Sequence, residues 1–266
     1  MTTVTVTTRA QVLRHTAAFT SAVLSQSELR RRLVATLLRN IPSSDQKHLN
    51  LAANTLENAI SFSSSSIRSS SLSLAEKLLL PLPEFPVSSF LLSLVNALRN
   101  RPTESAASLL RIFHSDNASL ARSEIAPALY ERLFSLHLFP VFRWFDEQRT
   151  QILSSTDDAN DYGYSVSEEY SVVLPCTKVL SKMSEEQAAK LRKLEREYEE
   201  VLDENCGVFA AYFREVLLNR NGDASISPPS LILNSAAEGG VMENQKEEMM
   251  QMDVLENGRE STKRKF

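Results

Sequence analysis

The sequence segment that decides the fold covers residues 184–219, SEEQAAKLRKLEREYEEVLDENCGVFAAYFREVLLN. Ser184 followed three residues later by Gln187 is the pattern of a capping box, which indicates that a helix begins here. At 1.5 Å per residue, this helix would be roughly 50 Å long. Its apolar side therefore needs a long groove, supplied either by the upstream chain or by another protein. The apolar positions recur at helical spacing on one side: Leu191, Leu194, Tyr198, Val201, Val208, Tyr212 and Val216.

Two residues interrupt this apolar stripe. Asn205 is polar where a coiled coil would carry an apolar residue, and Gly207 is the single glycine of the segment. Glycine weakens a helix interior because it has the largest backbone entropy to lose. We therefore predict a bend, or a change of packing partner, at residues 205–207.

The composition of the whole chain favours helices. Only six of the 266 residues are glycine and 7% are aromatic, whereas leucine, alanine, serine, glutamate and arginine are abundant. Successive amphipathic segments joined by short loops predict an all-α fold, either an irregular helical bundle or an armadillo- or HEAT-like α-solenoid. The chain shows no clean repeat of fixed length that would decide between these two architectures.

The domain boundaries follow from changes in patterning. We expect a frayed N-terminus over residues 1–8, a helical domain over residues 9–219 and a disordered tail over residues 220–266. Inside the domain, the serine-dominated residues 61–73 predict a flexible loop, and the acidic residues 156–167 (TDDANDYGYSVS) predict a second loop.

Residues 129–145 form the most hydrophobic segment and are the candidate central core element. Pro140 lies within this segment and is expected to kink or divide its helix. Trp144 is expected to anchor the core, or to form an interaction hot spot if it is exposed. This segment also offers an apolar surface to the helix at residues 184–219, so we expect the two to dock within one chain.

The sequence carries no recognisable catalytic constellation. Neither cysteine, Cys176 or Cys206, has a CxxC partner, and GxxxxGK[ST], GxGxxG, HExxH and GxSxG motifs do not occur. We expect no cofactor, no metal site and no enzymatic activity of this chain alone. The four histidines are too scattered for a simple ligand set: His15, His48, His114 and His137.

Charge and patterning also restrict the partners and the location. The net charge of −4 gives no support for nucleic-acid binding, and no apolar run is long enough to cross a membrane. The arginines at residues 30–32 point toward phosphates or an acidic partner, but on a helix they fan over about 200°. Two cysteines fit a reducing compartment, the cytosol or the nucleus. Residues 1–27 lack acidic side chains, so an organellar transit peptide is the alternative.

Three stretches together resemble a known family: SLSLAEKLLLPLPEFPVSSFLLSLVNAL at residues 71–98, SLARSEIAPALYERLFSLHLFPVFRWFDEQRTQIL at residues 119–153 and LSKMSEEQAAKLRKLEREYEEVLDENCGVFAAYFREVL at residues 180–217. They are similar to the N-terminal region of plant proteins of the LIN/CERBERUS type, which are described as E3 ubiquitin ligases. In that family an armadillo-like helical region precedes a U-box, and WD-type repeats follow.

The resemblance implies a protein-interaction module linked to ubiquitination, with protein partners that include the ubiquitination machinery. Since this sequence contains neither the U-box nor the WD-type repeats, ligase activity transfers to none of its residues. Two origins stay open, a fragment of a longer ligase and a stand-alone helical paralogue. The alternative functions are a homo-oligomeric coiled-coil scaffold through residues 184–219 and an organelle-targeted helical protein. The candidate docking residues, for a partner or within the chain, are Leu191, Leu194, Tyr198, Val201, Val208, Tyr212 and Trp144.

Overall fold

The computed structural model describes residues 7–39, 41–62, 64–82, 85–114, 118–154, 184–219 and 226–233. The chain divides into two compact units, Met1–Leu231 and Ile232–Phe266. Ile232 and Leu233 are the described residues of the second unit. The acidic loop at residues 156–167 lies outside the described residues, as do residues 1–6 and most of the tail beyond residue 219.

Every regular element in the described ranges is helical, which confirms the all-α prediction. Between α6 and α7 lies a 3₁₀ turn, Arg111–His114, and α7 continues into a π-helical turn, Ala121–Ile125. The α-helices are α1 Arg9–Ser25, α2 Ser27–Leu38, α3 Ser43–Ser61, α4 Ser65–Leu79, α5 Pro86–Leu98, α6 Pro102–Leu110, α7 Ala118–Leu120, α8 Pro127–Ser154 and α9 Glu185–Leu218.

Local sequence signals explain most helix ends. Thr8 and Gln11 form a capping box at the start of α1, so Thr8 belongs to the helical domain and not to the expected frayed end. At the end of α5, Asn100 adopts a left-handed φ of 56°. The Arg101 N–H then donates to the carbonyl of Asn96 and the Asn100 N–H to that of Ala97, which is the Schellman arrangement.

Helix α5 lies at the centre of the array. It packs against α6, α3 and α4, and it also contacts α1 and α2. Every residue from Pro86 to Asn96 is buried. The candidate central element, residues 129–145, forms the first part of α8 and is less enclosed. The reason is that α8 carries charged side chains such as Glu131 and Arg132, whereas α5 carries small serines that tolerate burial on all sides.

The predicted serine-rich loop at residues 61–73 is wrong. Helix α3 continues to Ser61 and α4 begins at Ser65, so residues 62–64 are the connection. Serine alone is indifferent to helix formation, but Leu72, Ala75 and Leu79 recur at helical spacing and are buried. Packing along α3 and α5 therefore overrides the loop tendency of the serines.

Two further expectations concern the continuity of long helices. Pro140 does not divide its helix, since α8 runs unbroken from Pro127 to Ser154. Gly207 likewise lies inside the continuous helix α9. Helix α9 begins with the predicted capping box, in which the Ser184 hydroxyl accepts the Gln187 N–H at 3.2 Å. Among the described helices, none is long and apolar enough to cross a membrane.

Arg30 ties three helices together and is not available to a phosphate or an acidic partner. Its side chain is buried, and its guanidinium makes two 2.7 Å hydrogen bonds to the carboxylate of Glu57 in α3. The same guanidinium donates to the carbonyls of Val23 and Leu24 in the last turn of α1, and the Val23 carbonyl also accepts the Gln26 N–H at 3.3 Å. One α2 side chain thus satisfies the end of α1 and pairs with α3.

Replacing Arg30 by alanine is expected to lower the free energy of unfolding by roughly 2–4 kcal/mol. The loss arises because the partly buried Glu57 carboxylate loses its paired cation, and because the Val23 and Leu24 carbonyls each lose one hydrogen bond. Urea unfolding followed by circular dichroism measures it. The matched control is Arg31→Ala, because Arg31 and its partner Glu28 are both exposed and such pairs contribute below about 1 kcal/mol. Equal losses in the two variants would contradict the assignment.

Candidate interaction surface

The structure places the seven candidate docking residues on α8 and α9, mostly facing inward; the contact between these two helices is named here the α8–α9 seam. Five are almost completely buried, each at most 5% exposed: Leu191, Leu194, Tyr198, Val201 and Tyr212. Val208 and Trp144 are half-buried, and Trp144 packs against the main apolar cluster. The stripe of α9 is therefore occupied within the chain in this arrangement.

A second apolar stripe on α9 escaped the sequence analysis. It runs beside the first at the same three- and four-residue spacing, so the signal was present in the sequence. In the second half of α9 the two stripes together cover more than half of the helix circumference. This wide coverage requires neighbours on several sides, which α1, α6, α8 and the 3₁₀ turn provide. The buried members of the second stripe are Leu202, Cys206, Phe209, Phe213 and Leu217.

Aromatic contacts join α8 and α9 along the seam. Phe145 stacks on Tyr198 with ring centroids 4.1 Å apart, and Phe134 meets Phe213 edge-on at 5.3 Å. Residue numbers rise along α8 as they fall along α9, so the two helices are antiparallel. Edge-on and offset contacts of this kind contribute about 0.5–1.5 kcal/mol each beyond the area they bury.

His137 occupies the middle of this seam. Its ring stacks on Phe209 at 4.9 Å, and its Nε2 lies 2.7 Å from the hydroxyl of Thr7. Burial lowers the pKa of His137 below its ordinary value of 6.5. The site therefore favours the neutral ring, and protonation of His137 would cost free energy.

Arg122 of the π-helical turn forms a polar bridge to α9. Its Nε donates to Asp203 at 3.1 Å, and its Nη2 donates to Glu199. Burial by itself lowers the pKa of Arg122, but the two carboxylates outweigh burial and raise it. Arg122 therefore remains a cation, and the spacing of its two acceptors by one helical turn fixes the register of α9.

Gly207 marks a close approach between α9 and the 3₁₀ turn. The Nδ1 of His114 lies 3.2 Å from the carbonyl oxygen of Gly207, and a Cβ added at Gly207 would lie 3.2 Å from the same nitrogen. The small residue thus makes room for His114. The buried neighbour Asn205 donates from Nδ2 to the Val201 carbonyl at 2.7 Å, a bond within the helix.

Burial suppresses the ionisation of Cys206 and Tyr198 in the seam. Burial raises the pKa of Cys206 to about 12, and burial raises that of Tyr198 to about 12. Both therefore stay protonated. Within the described part of the chain, no cluster of three or more histidine, cysteine, aspartate or glutamate side chains could hold a metal ion. A hollow of about 710 Å³ on the outer side of α9 is lined by Ala189, Arg192, Glu195, Arg196, Glu199 and Glu200, mostly charges of both signs.

Exposed apolar side chains concentrate instead on the α3–α4 hairpin. A single exposed leucine is ordinary, but several on two adjacent helices indicate an interaction surface. These side chains are each 46–61% exposed: Leu51, Phe62, Ile67, Leu74 and Leu80.

Comparisons with known proteins agree with this helical architecture. The family model described as "E3 ubiquitin-protein ligase LIN-like, ARM repeat" matches residues 21–235. That range includes most of the described helices, which confirms the all-α, armadillo-like fold class and the resemblance drawn from the sequence. No solved structure gives a significant match to the chain.

Three legume proteins are among the similar curated relatives. "Putative E3 ubiquitin-protein ligase LIN-1" and "LIN-2" of Lotus japonicus are each 29% identical over 148 residues, 55% of this chain and 10% of the relative. "Putative E3 ubiquitin-protein ligase LIN" of Medicago truncatula is 31% identical over 98 residues, 36% of this chain and 6% of the relative. The matched region thus spans about a tenth of these relatives or less.

Acidification is expected to destabilise the domain through His137. The unfolded state binds a proton near pH 6.5, whereas the folded state binds it only at lower pH. Stability is therefore lost as the pH falls from about 6.5 through the lowered folded pKa, by about 1.4 kcal/mol per unit of pKa difference. His15, whose pKa is lowered by burial and then by Arg14 and Arg132, contributes in the same direction.

Urea unfolding at pH 7.5 and 5.5 measures this loss. His137→Phe keeps an aromatic ring against Phe209 and removes the titrating group, so the difference in stability between the two pH values should shrink. His48→Gln, at an exposed position of α3, is the control and should keep the full difference in stability between the two pH values. An unchanged pH dependence in His137→Phe would contradict the prediction.

Proposed function

Because the chain belongs to the LIN-like ARM-repeat family of E3 ubiquitin-protein ligases, we propose that it is the protein-binding module of a ubiquitination-linked protein. The observation that carries the proposal is the match over residues 21–235, which coincides with a packed array of helices. Such an array presents a rigid surface, and a rigid surface binds without a large ordering cost.

In this proposal the module binds a partner and does not transfer ubiquitin itself. The buried, protonated Cys206 supports this part, since thioester chemistry requires an accessible thiolate. The relatives are named as ligases, but the matched region is about a tenth of their length or less. Any transfer step would therefore be supplied by other sequence or by another protein.

The proposal treats the module as monomeric. A homo-oligomeric coiled coil through residues 184–219 needs the first stripe of α9 on the surface, yet Leu191, Leu194 and Val201 are buried within one chain. Pairing through this stripe would require α9 to leave α8 and to break the Arg122 bridge. We also place the protein in the cytosol or nucleus, where Cys206 stays a free thiol.

A fusion experiment tests the proposed function. The full chain is joined to a U-box domain of known activity and expressed in plant cells, and ubiquitin-modified peptides are quantified by mass spectrometry. A restricted set of proteins should gain ubiquitin relative to cells that express the U-box alone, because the module holds those proteins close to the transfer site.

Two controls show whether the added ubiquitin depends on an active U-box and whether the chain transfers ubiquitin by itself. The fusion with an inactivated U-box should restore the background pattern, and the chain without a U-box should form no ubiquitin conjugates with purified activating and conjugating enzymes. A fusion whose targets match those of the U-box alone would refute the protein-binding role. Conjugation by the isolated chain would refute its non-catalytic character.

A further inference from the structure

The α3–α4 hairpin presents one exposed strip on each helix, together named here the α3–α4 face. On both helices the strip follows helical spacing and lies opposite the buried side. On α3 the buried side includes Leu49, Leu56 and Ala59. The α3–α4 face consists of Lys47, Leu51, Asn54 and Asn58 on α3 and Ile67, Ser70, Leu74 and Lys77 on α4, all exposed.

The two strips are aligned by the short connection between the helices. Leu51 lies ten residues before the end of α3, and Leu74 lies nine residues after the start of α4. At 1.5 Å per residue, both stand roughly 14 Å from the connection, measured along their own helix axes. Lys47 and Lys77 stand about one turn further from the connection, and Ile67 stands close to it. The face therefore has two leucines beside two lysines at one end, with Asn54, Asn58 and Ser70 between these leucines and Ile67.

The exposed charges of this hairpin are all positive. Its carboxylates are Asp45, Glu57 and Glu76, and each is at least partly buried. Glu57 pairs with Arg30, and Glu76 pairs with Arg99 at 2.6 Å and Arg101 at 3.5 Å.

Three cations remain at the surface of the hairpin. No described carboxylate forms a salt bridge with Lys47, Arg68 or Lys77, although the Nε of Arg68 donates to the Ala59 carbonyl at 3.2 Å. A protein with a net charge of −4 thus keeps a locally basic face beside exposed aliphatic side chains.

We propose that the α3–α4 face is the docking site for an acidic amphipathic helix of a partner protein. Aliphatic side chains of that helix, spaced by three or four residues, pack on Leu51, Ile67 and Leu74. Aspartate or glutamate at one end of the helix faces Lys47 and Lys77. This inference rests on the proposed function and deepens it by naming the surface and the chemistry of the partner.

Charge decides between this occupant and a second copy of the chain. A symmetric dimer through the α3–α4 face would cover the cations of both copies without supplying an opposite charge, which is unfavourable. An acidic helix instead supplies the negative charges that Lys47 and Lys77 lack. An anionic membrane surface is the competing occupant that the same charges admit, and the experiment distinguishes it.

The probes are two synthetic helical peptides with one leucine pattern, at positions i, i+3, i+4 and i+7. One peptide is flanked by glutamates and the other by lysines. Fluorescence anisotropy with the full chain should show binding of the acidic peptide at least about tenfold tighter than that of the basic peptide. Raising the salt from 20 to about 500 mM should weaken binding, since exposed charges are screened.

Variants of the α3–α4 face locate the site. Lys47→Glu with Lys77→Glu should weaken the acidic peptide at least tenfold and improve the basic one, and Leu51→Ser with Leu74→Ser should weaken both. The matched control is Leu136→Ser with Arg192→Glu, two exposed positions on α8 and α9. It should bind as the unchanged chain does. The fold should be retained in each variant, because all substituted side chains are exposed. Thermal melts measure this.

Several outcomes would overturn the inference. These are no binding of the acidic peptide, equal binding of both peptides, or binding that the face variants leave unchanged. Face-dependent binding to phosphatidylserine vesicles without peptide binding would assign the face to a membrane instead. In the U-box fusion, a restricted target set that survives the face variants would refute this site and leave the proposed function standing. A fusion without a restricted set would refute the proposed function itself.

Discussion

The burial of α9 against α8 is the contact on which the rest of the domain depends. Without it, Tyr198, Phe209 and Phe213 would stand in water, and each such side chain gains about 1.5–3 kcal/mol from burial. The same contact covers the inner side of α8, and α9 also packs on α6 and the 3₁₀ turn. Since the net stability of a domain is only about 5–15 kcal/mol, a few of these side chains are decisive.

Polar groups give this apolar contact its register. Arg122 reaches two carboxylates one helical turn apart on α9, while Gly207 admits His114 close to the helix backbone. Sliding α9 by one residue would break both arrangements. Arg30 plays a similar part for α1, α2 and α3. Apolar burial thus supplies the free energy, and two largely buried arginines and one glycine select a single packing.

Much of the helical structure could be predicted from local sequence, because helix caps and apolar stripes depend on near neighbours in the chain. The Ser184–Gln187 capping box and the apolar stripe of α9 are examples. The serine-rich helix α4 could not be predicted in this way, since its stability comes from burying Leu72 and Leu79 against other helices. The buried role of Arg30 and the reason for Gly207 also depend on residues distant in sequence. Beyond the α9 stripe, the candidate interaction surface required the structure, which shows where the apolar side chains remain exposed.

The docked α9 is part of the cooperative core, and native-state hydrogen exchange tests this role most directly. The amides of residues 201–213 should exchange with the same free energy of opening as the amides of α5, the most enclosed helix. Contradiction would come from α9 amides that open at a free energy several kcal/mol lower while α5 stays protected. In that case α9 would be a detachable helix, and its apolar stripe would again be available to a partner.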